Sequence, residues 1–516
     1  MSVVRTEHAE NAERANRAEH AGSAERVNHA EHAGSEERAN RPEHAGSAER
    51  ANRPEHAGSA ERANRAEHAG SANRANRVER VTDVERVADG ERIVWLDWVR
   101  VAACFMVMLI HCTEPFFLGG EGALIASSSD AIWVGIFEGV ASACVPLFVI
   151  ASSYLLFPLA EGDTLRFFKR RALRILPGLL LWSLIYAFVY GQPAENLKGL
   201  LLNFNYAAGH LWFVYMLAGL YILMPLLSPW ASKVSKRELQ IYLAIWLFTT
   251  LIPIIRDAAL GGELTIIYGP TGVPRQALYP LWGEASWNSY GLFYYFSGFV
   301  GYLLLGLYFK RFTDTLSWRR TLSIALPLMA VGFAIHFGGF IQRVFFVDNS
   351  CAPVLEGGLE LGIRWQTTWG NDTIGVVLLT IGWILLFRKI KDADNLFFRY
   401  VIKPTSQAGY GIYLSHMLLL VPISALFREI ILFGETAPFG ETTPLGETTA
   451  FGGVFATPLA IVLGAVATFI CTSAAVILFR RCISFIKGAW ICKRGVGYAK
   501  GALDMQEARH INHKEE

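Results

Sequence analysis

The sequence has little charge for a chain of its length. Asp, Glu, Lys and Arg make up 18% of the 516 residues, whereas 52% are hydrophobic; a typical soluble domain carries about 25% charge. Residues 1–90 are almost entirely polar or small, so the remainder is far more apolar than the average. Apolar runs of about 18 or more residues recur there, each long enough to cross a hydrocarbon core of ~30 Å. The composition therefore predicts a polytopic membrane protein.

Several signatures of other protein classes are missing. There is no CxxC pair, and the seven cysteines are scattered among apolar segments, which favours packing residues over a disulfide framework or a metal site. No GxxxxGK[ST], HExxH or GxSxG segment supports ATP-driven transport, zinc proteolysis or serine hydrolysis. The net charge of +2 argues against a nucleic-acid partner. Because the N-terminus has no secretory signal pattern, we expect the first span to direct membrane insertion.

A twelve-residue repeat fills residues 6–77 and is clearest as PEHAGSAERANR at Pro42–Arg53 and Pro54–Arg65. Twelve residues advance a helix by about 120°, so successive copies build no common apolar stripe. The repeat also offers too few apolar residues to offset the entropy cost of ordering. We predict a disordered polar tail over residues 1–90, a ten-span membrane domain over 91–486 and a cytoplasmic C-terminal tail over 487–516.

Ten apolar segments are predicted to cross the membrane as helices, which gives an all-α polytopic bundle. They lie near Ile93–His111, Ile132–Leu159, Ile175–Tyr190, Leu211–Leu227, Ile241–Ile255, Tyr290–Tyr308, Leu322–Phe340, Ile374–Phe387, Gly409–Ile431 and Pro458–Phe479. Lys and Arg concentrate after the even-numbered spans, and positively charged loops stay in the cytoplasm. We therefore expect a multi-pass protein of the cell membrane (inner or plasma membrane) with both termini cytoplasmic.

The first span carries two ionisable groups, Arg100 about a third of the way along and His111 at its far end. Eleven residues are close to three helical turns, so both side chains point to one side, ~16 Å apart along the axis. An ionisable group within a span is a functional hypothesis by default. The structural alternatives are an Arg100 that snorkels and pairs with Asp97, and an interfacial His111 beside Glu114.

A cluster of arginines, Arg170, Arg171 and Arg174, begins the third span from the predicted cytoplasmic side. Setting the topology would be a sufficient role for these charges, but Arg also binds phosphate in a bidentate manner. The remaining ionisable groups of the spans are expected to be structural or packing residues: Glu138, His210, His336 and His416. Three functions stay open: transfer of a group from a phosphorylated cytosolic donor to an outer acceptor, transport or export of an anionic or acylated metabolite, and a membrane scaffold.

Several segments in combination resemble the membrane acyltransferase-3 family, which includes the O-acetyltransferases of bacterial surface polysaccharides. WLDWVRVAACFMVMLIH resembles the first span of that family, with Arg100 and His111 at its Arg and His positions. VPLFVIASSYLLFP resembles the second span, with Ser153 in place of the usual Gly. FFKRRALR carries the RxxR motif on Arg171 and Arg174, and HLWFVY and SQAGYGIYLSH resemble the fourth and ninth spans.

The resemblance implies an O-acyltransferase that moves an acyl group, expected to be acetyl, from cytosolic acyl-CoA to a hydroxyl of a surface or lipid-linked glycan. Arg170, Arg171 and Arg174 would bind the CoA phosphates. His111 would act as the general base or as the carrier of a transient acyl group. Arg100 would hold the donor or stabilise the oxyanion. The expected partners are acyl-CoA, the glycan and membrane lipid, without nucleic acid and without a metal.

Overall fold

The computed structural model describes residues 92–116, 128–160, 162–204, 206–259, 282, 290–313, 316–345, 368–391, 395–433 and 455–512. The predicted disordered tail, residues 1–90, lies outside the described residues. Within them the regular secondary structure is helical, with no strand, which confirms the all-α prediction. The α-helices are α1 (Val94–Thr113), α2 (Ser128–Ala141), α3 (Cys144–Leu156), α4 (Thr164–Val189), α5 (Pro193–Leu200), α6 (Trp212–Lys233), α7 (Lys236–Thr249), α8 (Ile252–Ala259), α9 (Val300–Phe312), α10 (Trp318–Phe345), α11 (Ile374–Phe387), α12 (Lys403–Phe433) and α13 (Ala456–Asn512).

Every predicted span falls on helical structure. Eight helical segments among the described residues are long and apolar enough to cross a membrane. The other two predicted spans fall on shorter helices: the sixth on a 3₁₀ turn followed by α9, and the eighth on the 14 residues of α11. The backbone of α13 continues to Asn512, past the predicted start of the C-terminal tail at residue 487.

Helix α1 lies at the centre of the bundle, packed against α2, α3, α12 and α13. Of its 20 residues, 13 are buried, in keeping with a helix that is apolar on nearly every side. Arg100 and His111, which are predicted to be functional, therefore lie on a helix that is surrounded by other helices. The side chains of those helices can interact with them.

The contact between α3 and α9 accommodates Ser153, which stands where the resemblance described above leads us to expect Gly. Ser153 is fully buried, and its hydroxyl donates to the carbonyl oxygen of Leu303 at 2.6 Å. The room comes from Gly306 on α9, where an added Cβ would lie 2.6 Å from the Ser153 side chain. The hydroxyl is thus satisfied within the membrane domain, and the helices still pack closely.

Two glycines allow α10 and α11 to pack backbone to backbone, and we predict that Gly332→Ala destabilises this pair. An added Cβ at Gly332 would lie 2.6 Å from the carbonyl oxygen of Gly375, which as a backbone atom cannot rotate away. Overpacking of this kind costs roughly 1–3 kcal/mol in the free energy of unfolding. Thermal unfolding in detergent should show a lower midpoint for Gly332→Ala.

The matched control is Gly338→Ala on the same helix, where an added Cβ would meet no atom within 4 Å. This variant should unfold at or slightly above the wild-type temperature, since Ala favours a helix over Gly. Equal midpoints for the two variants would show that the contact between α10 and α11 does not limit stability.

Candidate functional site

A cavity of about 490 Å³ lies among α1, α3, α4, α6 and α12. Its charged lining consists of four arginines and one aspartate, an excess of three positive charges: Arg92, Asp97, Arg100, Arg171 and Arg174. The rest of the lining is mainly aromatic and aliphatic, with side chains such as Phe148, Leu155, Phe213, Leu217, Tyr221, Tyr410 and Tyr413. A positive group of arginines next to an apolar wall suits a ligand with an anionic end and an uncharged arm.

Asp97 is the centre of a polar network at one side of the cavity. Its carboxylate is 2% exposed and forms a hydrogen bond of 2.5 Å with Nε of Arg92. The hydroxyl of Ser406 donates to the same carboxylate at 2.6 Å. Arg100 approaches it only to 3.7 Å. The predicted ion pair between Asp97 and Arg100 is therefore present but long, because Arg92 and Ser406 already form hydrogen bonds with the Asp97 carboxylate. The N–H groups of the Arg100 guanidinium can then donate hydrogen bonds to a ligand.

The structure brings two of the three predicted donor-binding arginines into this cavity. Arg171 is half-buried, with its guanidinium 5.5 Å from the ring centroid of Phe167 and 5.8 Å from that of Tyr221. Aromatic contacts on both rings limit the motion of this side chain. Arg174, one turn further along α4, also lines the cavity. Arg170 is exposed on the same helix and is not among the lining residues, so its proposed contact with CoA stays a prediction.

His111 lies at the opposite end of α1 from the arginines and has a carboxylate partner. Its Nδ1 is 2.5 Å from Oε1 of Glu114, which follows in a 3₁₀ turn. Because a carboxylate only accepts hydrogen bonds, Nδ1 carries the proton and Nε2 is left as the basic nitrogen. Nearby, Glu138 is buried and accepts a hydrogen bond of 2.7 Å from the hydroxyl of Thr113.

Two further histidines, expected from the sequence to be packing or interface residues, lie near His111: His416 contacts its ring, and His210 contacts His416. The ring centroid of His416 is 5.3 Å from that of His111 and 5.0 Å from that of His210. We call these three residues the histidine cluster. They come from three separate segments of the chain, 99 or more residues apart. One indication of this proximity is present in the sequence: His111 and His210 are both predicted to lie near the same face of the membrane.

Tyr413 links the cavity to the histidine cluster. Its ring lines the cavity, and its centroid is 5.8 Å from that of His416 and 6.1 Å from that of His210. Its hydroxyl donates to the backbone carbonyl of His210. Tyr186 also contacts the histidine cluster. Its ring packs against His210, and its hydroxyl donates to the carbonyl oxygen of Leu414 at 2.8 Å. One aromatic side chain thus separates the arginine-lined cavity from the histidines.

The fold and the site define a polytopic membrane protein in which a cationic cavity lies beside a histidine cluster, one member of which has a carboxylate partner. A family model described as an acyltransferase domain matches residues 93–477 of this chain. The match extends from α1 into α13 and includes every residue of the cavity except Arg92. The chain belongs to the membrane acyltransferase-3 family and is a membrane acyltransferase. No curated protein and no solved structure matches it.

Proposed function

We propose that the protein transfers an acyl group, expected to be acetyl, from cytosolic acyl-CoA to a hydroxyl of a surface or lipid-linked glycan. The observation that carries this proposal is the shared position of Tyr413, which lines the arginine cavity and also contacts the histidine cluster. A cavity suited to an anionic donor and a candidate general base therefore lie next to each other in one bundle. The basic loops after the even-numbered spans favour a cytoplasmic position for both termini.

The charge and the apolar lining of the cavity support acyl-CoA as the donor. Arg171 and Arg174 present guanidinium groups to the CoA phosphates, which planar bidentate donors bind well. The apolar wall formed by Phe148, Leu217 and Tyr410 suits the uncharged pantetheine arm. Arg100 lies ~16 Å from His111 along α1. This separation favours contact of Arg100 with the donor over stabilisation of an oxyanion beside His111.

His111 supplies the base for the transfer step. Its Nε2 takes the proton of the acceptor hydroxyl as that oxygen forms a bond to the thioester carbonyl carbon. The carbon–sulfur bond breaks, and the same proton passes from His111 to the departing CoA sulfur, so no proton is gained or lost overall. Glu114 holds Nδ1 and stabilises the imidazolium during the step. A transient acyl group on Nε2 is the other route through the same nitrogen.

The proposed function predicts that surface glycans lose an ester-linked acyl group when the protein is absent. Mass analysis of glycans from cells with and without the protein should show a difference of one acyl group per modified unit, removable by mild alkali. Identical glycan masses would contradict the acceptor class. Accumulation of an acylated or anionic metabolite inside the cells, with unchanged glycans, would instead favour export.

Removal of the repeats is expected to leave catalysis intact. The repeat region, residues 6–77, is composed mainly of Ala, Glu, Arg, His, Asn, Gly and Ser, and the family match begins only at residue 93. Deletion of residues 6–77 should therefore preserve membrane insertion and the rate of acyl transfer within about twofold, because the deleted residues lie outside the matched acyltransferase domain. Fractionation and acyl-transfer assays on equal amounts of protein provide the check. A large loss of activity at normal expression would assign the repeats a catalytic role.

A further inference from the structure

His416 is the fully buried member of the histidine cluster, and the transfer step described above gives it no task. Its Nδ1 lies 2.5 Å from the carbonyl oxygen of Tyr413. A carbonyl only accepts hydrogen bonds, so Nδ1 carries the proton and Nε2 carries the lone pair. Nε2 is buried and has no hydrogen-bond partner among the described residues. An unpartnered buried nitrogen costs stability, and what distinguishes His416 from the equally buried His336 is the contact of its ring with His111.

The bond to Tyr413 fixes the direction of the His416 dipole. Its N–H end is held at the Tyr413 carbonyl, so the buried and unpartnered Nε2 is its lone-pair end, and the His416 ring contacts the imidazole rings of His111 and His210. In a low-dielectric interior, an oriented dipole acts on a neighbouring charge far more strongly than in water. A lone pair held within the cluster therefore favours a positive charge on a neighbouring imidazole.

We propose that His416 is a positioning residue for His111: it holds the His111 ring through a tilted ring contact and stabilises the positive charge that His111 acquires with the acceptor proton. The link to acyl transfer rests on the proposed function. Glu114 is the direct partner of Nδ1 of His111, and His416 acts on the face of the ring, with an angle of 34° between the two ring planes. Among the described residues no carboxylate bonds to His416, so it remains the neutral partner while the charge resides on His111.

The groups that influence His111 come from several helices. Glu114 follows α1, and Glu138 on α2 lies within electrostatic reach of His111 while it is bonded to Thr113. The other titratable side chains around the cluster are Tyr186 on α4, His210 before α6, and Tyr413 and His416 on α12. Of these, His416 is the one whose ring contacts the His111 ring in the described part of the chain.

Two substitutions of His416 separate its electrostatic role from its packing. His416→Phe keeps an aromatic ring against His111 but removes the dipole, and His416→Gln keeps a polar group near the position of Nε2. The matched control is His336→Phe, because His336 is also fully buried, stacks on Trp369 at 5.4 Å and has no hydrogen-bond partner for either nitrogen among the described residues.

The test uses the full-length chain in membranes and two readouts. The first is the pH dependence of carbethoxylation of His111 by diethyl pyrocarbonate, located by mass spectrometry, since this reagent modifies neutral imidazole. The second is kcat and KM for acetyl-CoA. In His416→Phe the midpoint of His111 modification should move to lower pH by about one unit, because the imidazolium has lost a stabilising dipole. The same variant should lower kcat about tenfold and leave KM within about twofold.

His416→Gln should recover part of the loss, and His336→Phe should match the wild type in both readouts. A wild-type pH dependence of His111 modification in His416→Phe would overturn the positioning role. An equal shift in His336→Phe would also overturn it, because the effect would then reflect general loosening. A shift specific to His416→Phe, in a protein that transfers no acetyl from acetyl-CoA, would support the His416–His111 coupling and reject the proposed function.

Discussion

Substitution of His111 by Ala is expected to lower the rate of acyl transfer by about 10²–10⁴-fold, the range for loss of a general base. The chain should remain folded, because His111 lies at the end of α1 with its side chain 19% exposed. The expected result follows from the pairing of Nδ1 with Glu114, which leaves Nε2 as the free basic nitrogen. The measurement is kcat with acetyl-CoA in purified protein.

Two further variants make this prediction specific. Glu114→Gln keeps a hydrogen-bond acceptor for Nδ1 but removes the negative charge, so it should reduce the rate less than His111→Ala. His336→Ala removes a fully buried histidine outside the histidine cluster and should retain near-normal kcat in the folded fraction. A wild-type kcat in a well-expressed His111→Ala protein would show that His111 takes no part in the reaction.

The second large effect is expected at the arginines of α4. Replacement of both Arg171 and Arg174 by Lys keeps the charge that sets topology but removes the planar bidentate donors. Each lost charge-assisted contact is worth on the order of 1.5–3 kcal/mol, so the affinity for acyl-CoA should fall about tenfold or more. Binding of acetyl-CoA to the purified variant, followed by calorimetry, measures this directly.

Arg166→Lys serves as the matched control on the same helix. Its side chain is 67% exposed, its ion pair with Asp163 is 3.9 Å long, and it does not line the cavity. It should bind acetyl-CoA as the wild type does. If the wild type and the double Lys variant bind acetyl-CoA with equal affinity, Arg171 and Arg174 only set the membrane topology. The donor site would then lie elsewhere.

The membrane architecture could be predicted because its causes are local. A span requires a run of apolar residues matched to the bilayer, and such runs are visible in the sequence without any knowledge of tertiary contacts. Helical periodicity likewise predicts that Arg100 and His111 lie about three turns apart on α1. Two predicted spans fall on α-helices of only 13 and 14 residues, α9 and α11, which is shorter than the about 20 residues of a typical span.

The histidine cluster could not be predicted because its causes are long-range. Contacts among His111, His210 and His416 depend on how α1, α6 and α12 pack, and no local pattern encodes that arrangement. The partner of Asp97 shows the same limit. The i,i+3 spacing predicted Arg100, whereas the shorter contacts come from Arg92 and from Ser406, which is 309 residues away in the chain.

The most direct test of the proposal that the arginine cavity and His111 serve one reaction is acetyl transfer in reconstituted vesicles. Purified protein is inserted in liposomes with the glycan fraction of the source membranes, and radiolabelled acetyl-CoA is added on the side of the basic loops. Wild-type protein should place label on glycan as an alkali-labile ester, and His111→Ala should bind acetyl-CoA normally but place none. Label that crosses the bilayer without forming an ester, or esters formed equally by His111→Ala, would contradict the proposed acyltransferase mechanism.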